Sequence, residues 1–93
     1  MTSENLFEPG RVLATPGVIE ATGEDRRALL DMLRRHLSGD WGDVPPEDAE
    51  LNNLSVKEGS RILSSYQTAD GETVWIITEA DRNATTFLLP REY

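Results

Sequence analysis

The sequence has no cysteine, a single histidine and few aromatic residues, 6% of 93. Without cysteine there is no disulfide framework, thiolate nucleophile or Cys-based zinc site, so the fold rests on packing alone, a composition that suits a reducing cytoplasm. One histidine is too few ligands for a metal centre unless several carboxylates converge, and no cofactor is expected. Long apolar runs are also missing. Stretches such as Val74–Ile77 and Phe87–Leu89 fall far short of the ~20 residues a membrane span needs. Met1-Thr2-Ser3-Glu4-Asn5 lacks the basic-then-apolar pattern of a signal peptide. The expectation is a cytoplasmic protein without a membrane anchor. Basic residues are scarce: 17 acidic against 9 basic side chains give a formal charge of -8. On so small a surface that field repels phosphate backbones and disfavours direct non-specific nucleic-acid binding. It serves solubility, or it attracts a basic partner, including a protein whose basic groove holds nucleic acid.

What is present reads as one domain, because a chain of this length buries a single core. Residues 1–9 read as a flexible N-terminal arm, since Pro9-Gly10 punctuates the chain before any periodic pattern begins, and residues 10–93 as the domain. Arg11–Ala14 suits a short strand. Thr15 suits a helix cap with Pro16 at the first helical position, and Gly23 a stop. From Glu24 to Leu37 the 100° spacing places Leu29, Leu30, Met32, Leu33, His36 and Leu37 on one arc, opposite Arg27, Asp31, Arg34 and Arg35. Glu24 and Asp25 at the start of this main helix, and Arg34 and Arg35 near its end, complement its dipole, while Gly39 suits the closing left-handed residue. Asp40–Pro46 reads as a turn-rich connector. Pro45-Pro46 predicts a second short helix to about Leu54, with Asp43 or Val44 near its cap.

Three strand-like runs follow Gly59: Arg61–Gln67, Thr73–Glu79 and Thr85–Leu89. Asp70-Gly71 signals a two-residue hairpin turn. That turn sets Gln67 against Val74, Tyr66 against Trp75, Ser65 against Ile76 and Ser64 against Ile77. A loop over Ala80–Asn83 sets Thr78 against Thr85, Ile77 against Thr86, Ile76 against Phe87 and Trp75 against Leu88. Leu63, Val74, Ile76, Phe87 and Leu89 then share one face, and Ile62, Tyr66, Trp75, Ile77 and Leu88 the other. Both faces are apolar, so either helices cover both or one face binds something. The main helix is assigned to the Phe87 face. The expected fold is α+β: a main helix and short helices packed on a three- to four-stranded antiparallel sheet, ending in a C-terminal β-meander.

The chemistry-bearing residues are few. His36 is either a half-buried core residue or a general acid or base. Arg82, beside Glu79 and Asp81, forms a local ion pair or binds an anion with Thr85 or Thr86. Arg61 is a second basic residue outside the main helix. Ser64, Ser65, Tyr66, Thr78, Thr85 and Thr86 give the sheet a line of hydroxyls that cross-strand hydrogen bonds largely explain. Trp41 is a core plug or an exposed contact anchor, with core favoured. No glycine-rich phosphate loop, nucleophile elbow, paired-histidine motif or basic recognition helix occurs.

Four strings, His36–Asp43, Gly59–Tyr66, Val74–Arg82 and Thr85–Pro90, together resemble a family of small bacterial proteins called "plasmid-related protein", carried on plasmids and other mobile elements. The resemblance spans about residues 10–93 and implies a genomic setting, not a mechanism. Two functions are therefore carried forward. The first is an acidic mobile-element accessory protein acting by protein binding, for instance as an inhibitor of a host defence or nucleic-acid-binding complex. Its contact residues would be Asp40, Trp41, Asp43, Tyr66, Trp75 and Arg82, with a homodimer as a further assembly. The second is a small metal-independent nuclease or toxin-like enzyme using His36 as base, Arg61 or Arg82 against phosphate charge, and Ser64, Tyr66 or Thr85 to position substrate.

Overall fold

The computed structural model describes residues 5–93. Its order is β1 (Arg11–Ala14), α1 (Pro16–Thr22), α2 (Arg26–Ser38), α3 (Pro46–Glu58), β2 (Ile62–Gln67), β3 (Thr73–Thr78) and β4 (Ala84–Leu88), closed by a 3₁₀ turn at Pro90–Glu92. The fold is α+β, with a single four-stranded sheet in the order β1-β4-β3-β2. The three C-terminal strands form the expected antiparallel meander. β1 adds to β4 in parallel, the one departure from an antiparallel sheet.

Local chemistry sets the helix ends. The Thr15 hydroxyl accepts from the Val18 N–H (3.3 Å), Pro16 opens α1, and Gly23 closes it in the left-handed region. Asp25 caps α2 by accepting from the Ala28 N–H, and Gly39 ends it. α3 starts where Pro45-Pro46 places it, with Pro45 as N-cap next to Val44 and no side-chain cap bond, but it differs from expectation at its far end, running past Leu54 to Glu58. Its fully buried residues are the polar Asn52 and Ser55, while Ala49 and Val56 pack half-buried against the core.

The β3–β4 register is as expected, with Thr78 opposite Thr85 and Ile76 opposite Phe87. The β2–β3 register is offset by one residue from the expected pairing: Tyr66 faces Val74, Ser65 faces Trp75 and Ser64 faces Ile76. The hairpin loop has three residues, not two. Thr68 N–H donates to Glu72 C=O (2.8 Å), Gly71 N–H to Thr68 C=O (2.9 Å), and the Thr68 hydroxyl accepts from Glu72 N–H (3.0 Å). Gly71 takes φ +85°, the left-handed residue that completes a three-residue turn. One extra loop residue turns every β2 side chain to the other face. Ile62, Ser64 and Tyr66 therefore lie on the inner face with Val74, Ile76, Thr78, Thr85 and Phe87, all buried. The expected Tyr66–Trp75 pair does not form.

α1 and α2 pack on this inner face, as expected for α2. Val18, Met32, Tyr66, Val74, Ile76, Phe87 and Leu89 make one cluster, and Phe7, Leu37, Trp41 and Ile62 a second, against which Ala49 and Val56 of α3 pack. Each fully buried aliphatic or Phe side chain contributes roughly 1.5–3 kcal/mol. The arm expected over residues 1–9 falls partly outside the described residues. From Leu6 onward it lies on the domain: Leu6 N–H donates to Leu37 C=O (2.8 Å), and Phe7 is buried between His36 and Trp41.

The β2 edge is closed without another strand. Ser65 N–H donates to Trp41 C=O (3.0 Å) and Asp43 N–H donates to Ser65 C=O (2.7 Å). At Leu63 a side chain substitutes for backbone: the Asn52 amide donates to Leu63 C=O (2.8 Å) and accepts from Leu63 N–H (3.2 Å). Asn52→Ala is expected to cost ~2–3 kcal/mol, because it leaves both Leu63 groups without partners. Asn52→Asp keeps the acceptor, sets a carboxylate against a carbonyl, and should cost at least as much. Urea unfolding of the two variants beside the wild type checks both; unchanged midpoints would show that water replaces the amide freely.

Candidate functional site

The sequence-derived candidates divide between a sealed interior and an open surface. His36 projects from α2 onto the inner sheet face and is fully buried. Its Nδ1 lies 2.6 Å from Ser64 Oγ and its Nε2 2.8 Å from Thr78 Oγ1. Thr78 Oγ1 lies 2.7 Å from Thr85 Oγ1, which donates to the Pro9 carbonyl (2.7 Å). A carbonyl only accepts, and that fixes the direction of the whole column. Thr85 spends its proton on Pro9, so Thr78 donates to Thr85. His36 Nε2–H then donates to Thr78, and Nδ1 accepts from Ser64. The imidazole is neutral, in the Nε2–H tautomer. Desolvation lowers its pKa to about 3.

The column's side chains line neither of two surface clefts: one lies between α2 and the β2–β3 hairpin, lined by Asp25, Met32, Arg35 and Gln67, another beside α3, lined by Asp48, Leu51 and Leu63. No buried side-chain polar atom among the described residues lacks a partner. Tyr66 is 2% exposed and donates its hydroxyl to the Asp40 carbonyl. Burial pushes its pKa up to about 12. Thr85 is consumed by Thr78 and Pro9. Arg82 takes a left-handed φ of +61° and aims its guanidinium at carbonyls: Ser60 at 2.7 Å, Ser55 at 2.8 Å and Glu79 at 3.1 Å. It thereby caps the carbonyl end of α3 and ties that end to the β3–β4 loop. Neither the expected ion pair nor an anion site forms there, since Asp81 accepts from Asn83 instead. Trp41 is the core plug, 5% exposed, with its indole N–H on Asn53 Oδ1 (3.0 Å).

Of the proposed contact residues, Asp40, Asp43 and Trp75 remain accessible. Arg35 Nε donates to Asp40 (2.7 Å), and this bond holds the Asp40 carboxyl below its usual range. The same guanidinium lies over the Tyr66 ring at 4.5 Å. Trp75 belongs to the outer sheet face, with Leu63, Ile77, Thr86, Leu88 and Leu13. The buried apolar side chains of α1 and α2 join the inner-face clusters, and the buried Asn52 of α3 meets the β2 edge at Leu63. What crosses the face is the C-terminal residue, Tyr93. Its ring meets Trp75 edge-on at 5.9 Å and lies under the Arg61 guanidinium, which also donates to the Tyr93 hydroxyl. Arg61 and Leu63 line a cleft of about 230 Å³ with Val44, Asp48, Leu51 and Asn52, joining the acidic start of α3 to the outer face.

The structure thus brings together His36, Ser64, Thr78 and Thr85 in the core and Arg61 with Trp75 on the outer face, on opposite sides of one sheet. Tyr93, Leu51 and Arg35 were not singled out in the sequence as contacts. Tyr93 ends the chain and follows no periodic pattern, and the exposed Leu51 follows from the length of α3. Comparison with protein-family profiles, with curated proteins and with solved structures returns no match for this chain.

The histidine predicts a pH dependence. An unfolded-state histidine titrates near 6.5 and the folded one near 3, so between those values the unfolded chain binds the extra proton. Stability from this group is complete above pH ~6.5 and falls as pH drops toward 3, by up to ~1.4 kcal/mol per pH unit. Urea unfolding from pH 7 to 4 should show that slope in the wild type and lose that component in His36→Gln. An imidazole NMR resonance titrating near pH 6 would refute the neutral column.

Proposed function

We propose that this chain is a non-catalytic protein-binding module that engages a basic partner through the outer sheet face, with Arg61, Trp75 and Tyr93 as its anchor. The observation that carries this reading is the division of labour across the sheet: the acid–base and hydroxyl groups are saturated by one another inside, and on the other side Arg61 and Tyr93 stay exposed around a half-buried Trp75. Trp, Tyr and Arg are the side chains most often found to dominate binding energy at interfaces. The charge of -8 favours a basic partner by long-range attraction. The exposed Asp48 beside Arg61, with Asp40 and Asp43 at the β2 edge, supplies an acidic rim.

Within this reading, the resemblance to the plasmid-related protein family suggests an accessory protein of a mobile element. Its target would be a complex whose basic groove normally holds nucleic acid, such as a host defence complex, which an acidic surface can occupy. The alternative, a metal-independent nuclease, requires His36 to reach substrate, and the closed column gives that reading no support.

Arg61→Glu and Trp75→Ala change side chains that the inner core does not need, so both variants should fold. As baits in a bacterial lysate at low salt they are expected to lose, by about tenfold or more, proteins that the wild type retains. Those proteins should also be released by added salt. Equal recovery by all three baits would remove the outer face as the binding site. Loss of RNA integrity on expression of the wild type but not of His36→Ala would reinstate catalysis.

A further inference from the structure

The two sheet edges are treated differently. The β2 edge is occupied at Leu63 and Ser65, as described above. The β1 edge is bare. Arg11 N–H donates to Asn83 C=O (2.9 Å) and Thr15 N–H to Phe87 C=O (3.0 Å). The alternation of a parallel ladder therefore turns Leu13 toward β4, and the N–H and C=O groups of Val12 and Ala14 away from the sheet. Among the described residues no other backbone segment bonds those groups. All four β1 residues are exposed, with Val12 at 47% and Leu13 at 41%. An apolar strand edge of this kind is a template for another strand.

We infer that the β1 edge pairs with the β1 edge of a second copy of this chain, antiparallel and about a two-fold axis through Leu13, to form one continuous sheet across a homodimer. The register follows from which groups are free. Val12 and Ala14 carry the outward donors and acceptors, so Val12 exchanges both bonds with Ala14 of the other copy, and the reverse. Leu13 then meets its own symmetry mate in the non-hydrogen-bonded position, where Cα atoms approach to ~4.5 Å and side chains touch most closely. On the inner side the larger Val12 opposes the smaller Ala14.

Charge complementarity selects this occupant. The same register sets Arg11 against Thr15 of the second copy, on the outer face. Thr15 Oγ1 donates to Glu92 (2.6 Å), whose carboxylate also accepts from Leu89 N–H (2.8 Å). Each Arg11 therefore approaches a carboxylate that its partner copy already holds in place, twice over by symmetry. Arg11 makes no side-chain bond within its own chain among the described residues, so it is available for this pair. β1 itself contains no acidic residue, which keeps the axis free of local like-charge repulsion despite a charge of -8 on each copy. The two copies repel overall, so the dimer gains as salt rises to about 0.15 M. A four-residue pairing is small, and the affinity belongs to the weak, transient class of interfaces. This inference does not depend on the proposed function, because the pairing edge and the Trp75–Tyr93 face are separate surfaces.

The test uses the full chain in at least about 0.15 M salt. Sedimentation velocity up to ~500 μM should show a concentration-dependent dimer, as expected of a weak interface. Leu13→Lys should abolish it, since it places like charges together at the axis, and Arg11→Glu should weaken it at least about tenfold, since it sets a carboxylate against Glu92 of the other copy. Circular dichroism confirms that each variant folds. The absence of native cysteine allows a positional check. Leu13→Cys should form a covalent dimer under mild oxidation, because the paired Cα separation lies within disulfide reach. Leu54→Cys, exposed on α3, should cross-link far more slowly. A monomer at the highest concentration overturns the inference. So does a dimer indifferent to Leu13→Lys, or equal cross-linking at positions 13 and 54.

Discussion

The hydrogen-bonded column Ser64–His36–Thr78–Thr85–Pro9 is the constraint around which the rest of the molecule is arranged. It joins α2 to β2, β3 and β4 and pins the N-terminal segment over the far end. Each of the four side chains has one proton to give and a defined group to receive it, so the chain of donors ends on the Pro9 carbonyl with nothing left over. A buried polar network that is fully satisfied favours one arrangement of its surroundings, since any slip leaves a donor without an acceptor in a medium that punishes it. This explains why an apolar core tolerates an imidazole and three hydroxyls. Thr78 and Thr85 reach the inner face through the β3–β4 register, and Ser64 joins them only in the observed β2 alignment, so the column and the β2 register specify each other.

Around this column the aromatic residues take two roles. Phe7 and Trp41 enclose the imidazole, edge-on to it at 5.3 and 6.0 Å, and exclude water from it. Trp75 and Tyr93 stand on the opposite side of the sheet, where the Arg61 guanidinium lies over the Tyr93 ring. Arg82 locks the frame between them by drawing the end of α3 toward the β3–β4 loop. Gly10 fits the same junction, since a Cβ at its φ of +66° would overlap the backbone of Arg82 and Asn83.

Much of this was legible where the deciding chemistry is local. Thr15-Pro16, Asp25, Gly23 and Gly39 announce helix ends through their own side chains or lack of them, and the β3–β4 alignment follows from loop length. The β2 alignment was not legible, because Asp70-Gly71 suits both a two-residue turn and the last positions of a three-residue one. The choice falls to the Thr68 hydroxyl. Hydrophobicity did not arbitrate either, as Ile62 and Leu63 are both apolar and each parity places one of them inside. The helical wheel places His36 on the buried arc and the β3–β4 loop sets Thr78 against Thr85, but the convergence of Ser64 with them depends on the β2 alignment. The full length of α3 was hidden because its fully buried positions, Asn52 and Ser55, are polar and give no apolar period. Tyr93 carried no signal at all, being one terminal residue whose position is set by the turn before it.

The Asn52 amide has a consequence beyond the stability of β2. By presenting a donor and an acceptor side by side, it imitates a short piece of neighbouring backbone, yet it offers no onward pair of groups on its far side. Lateral growth of the sheet stops there. A molecule with one stoppered margin and one receptive margin can join a like molecule once, but the product has two stoppers and no receptive margin left, so assembly ends in a closed pair and never in a fibre.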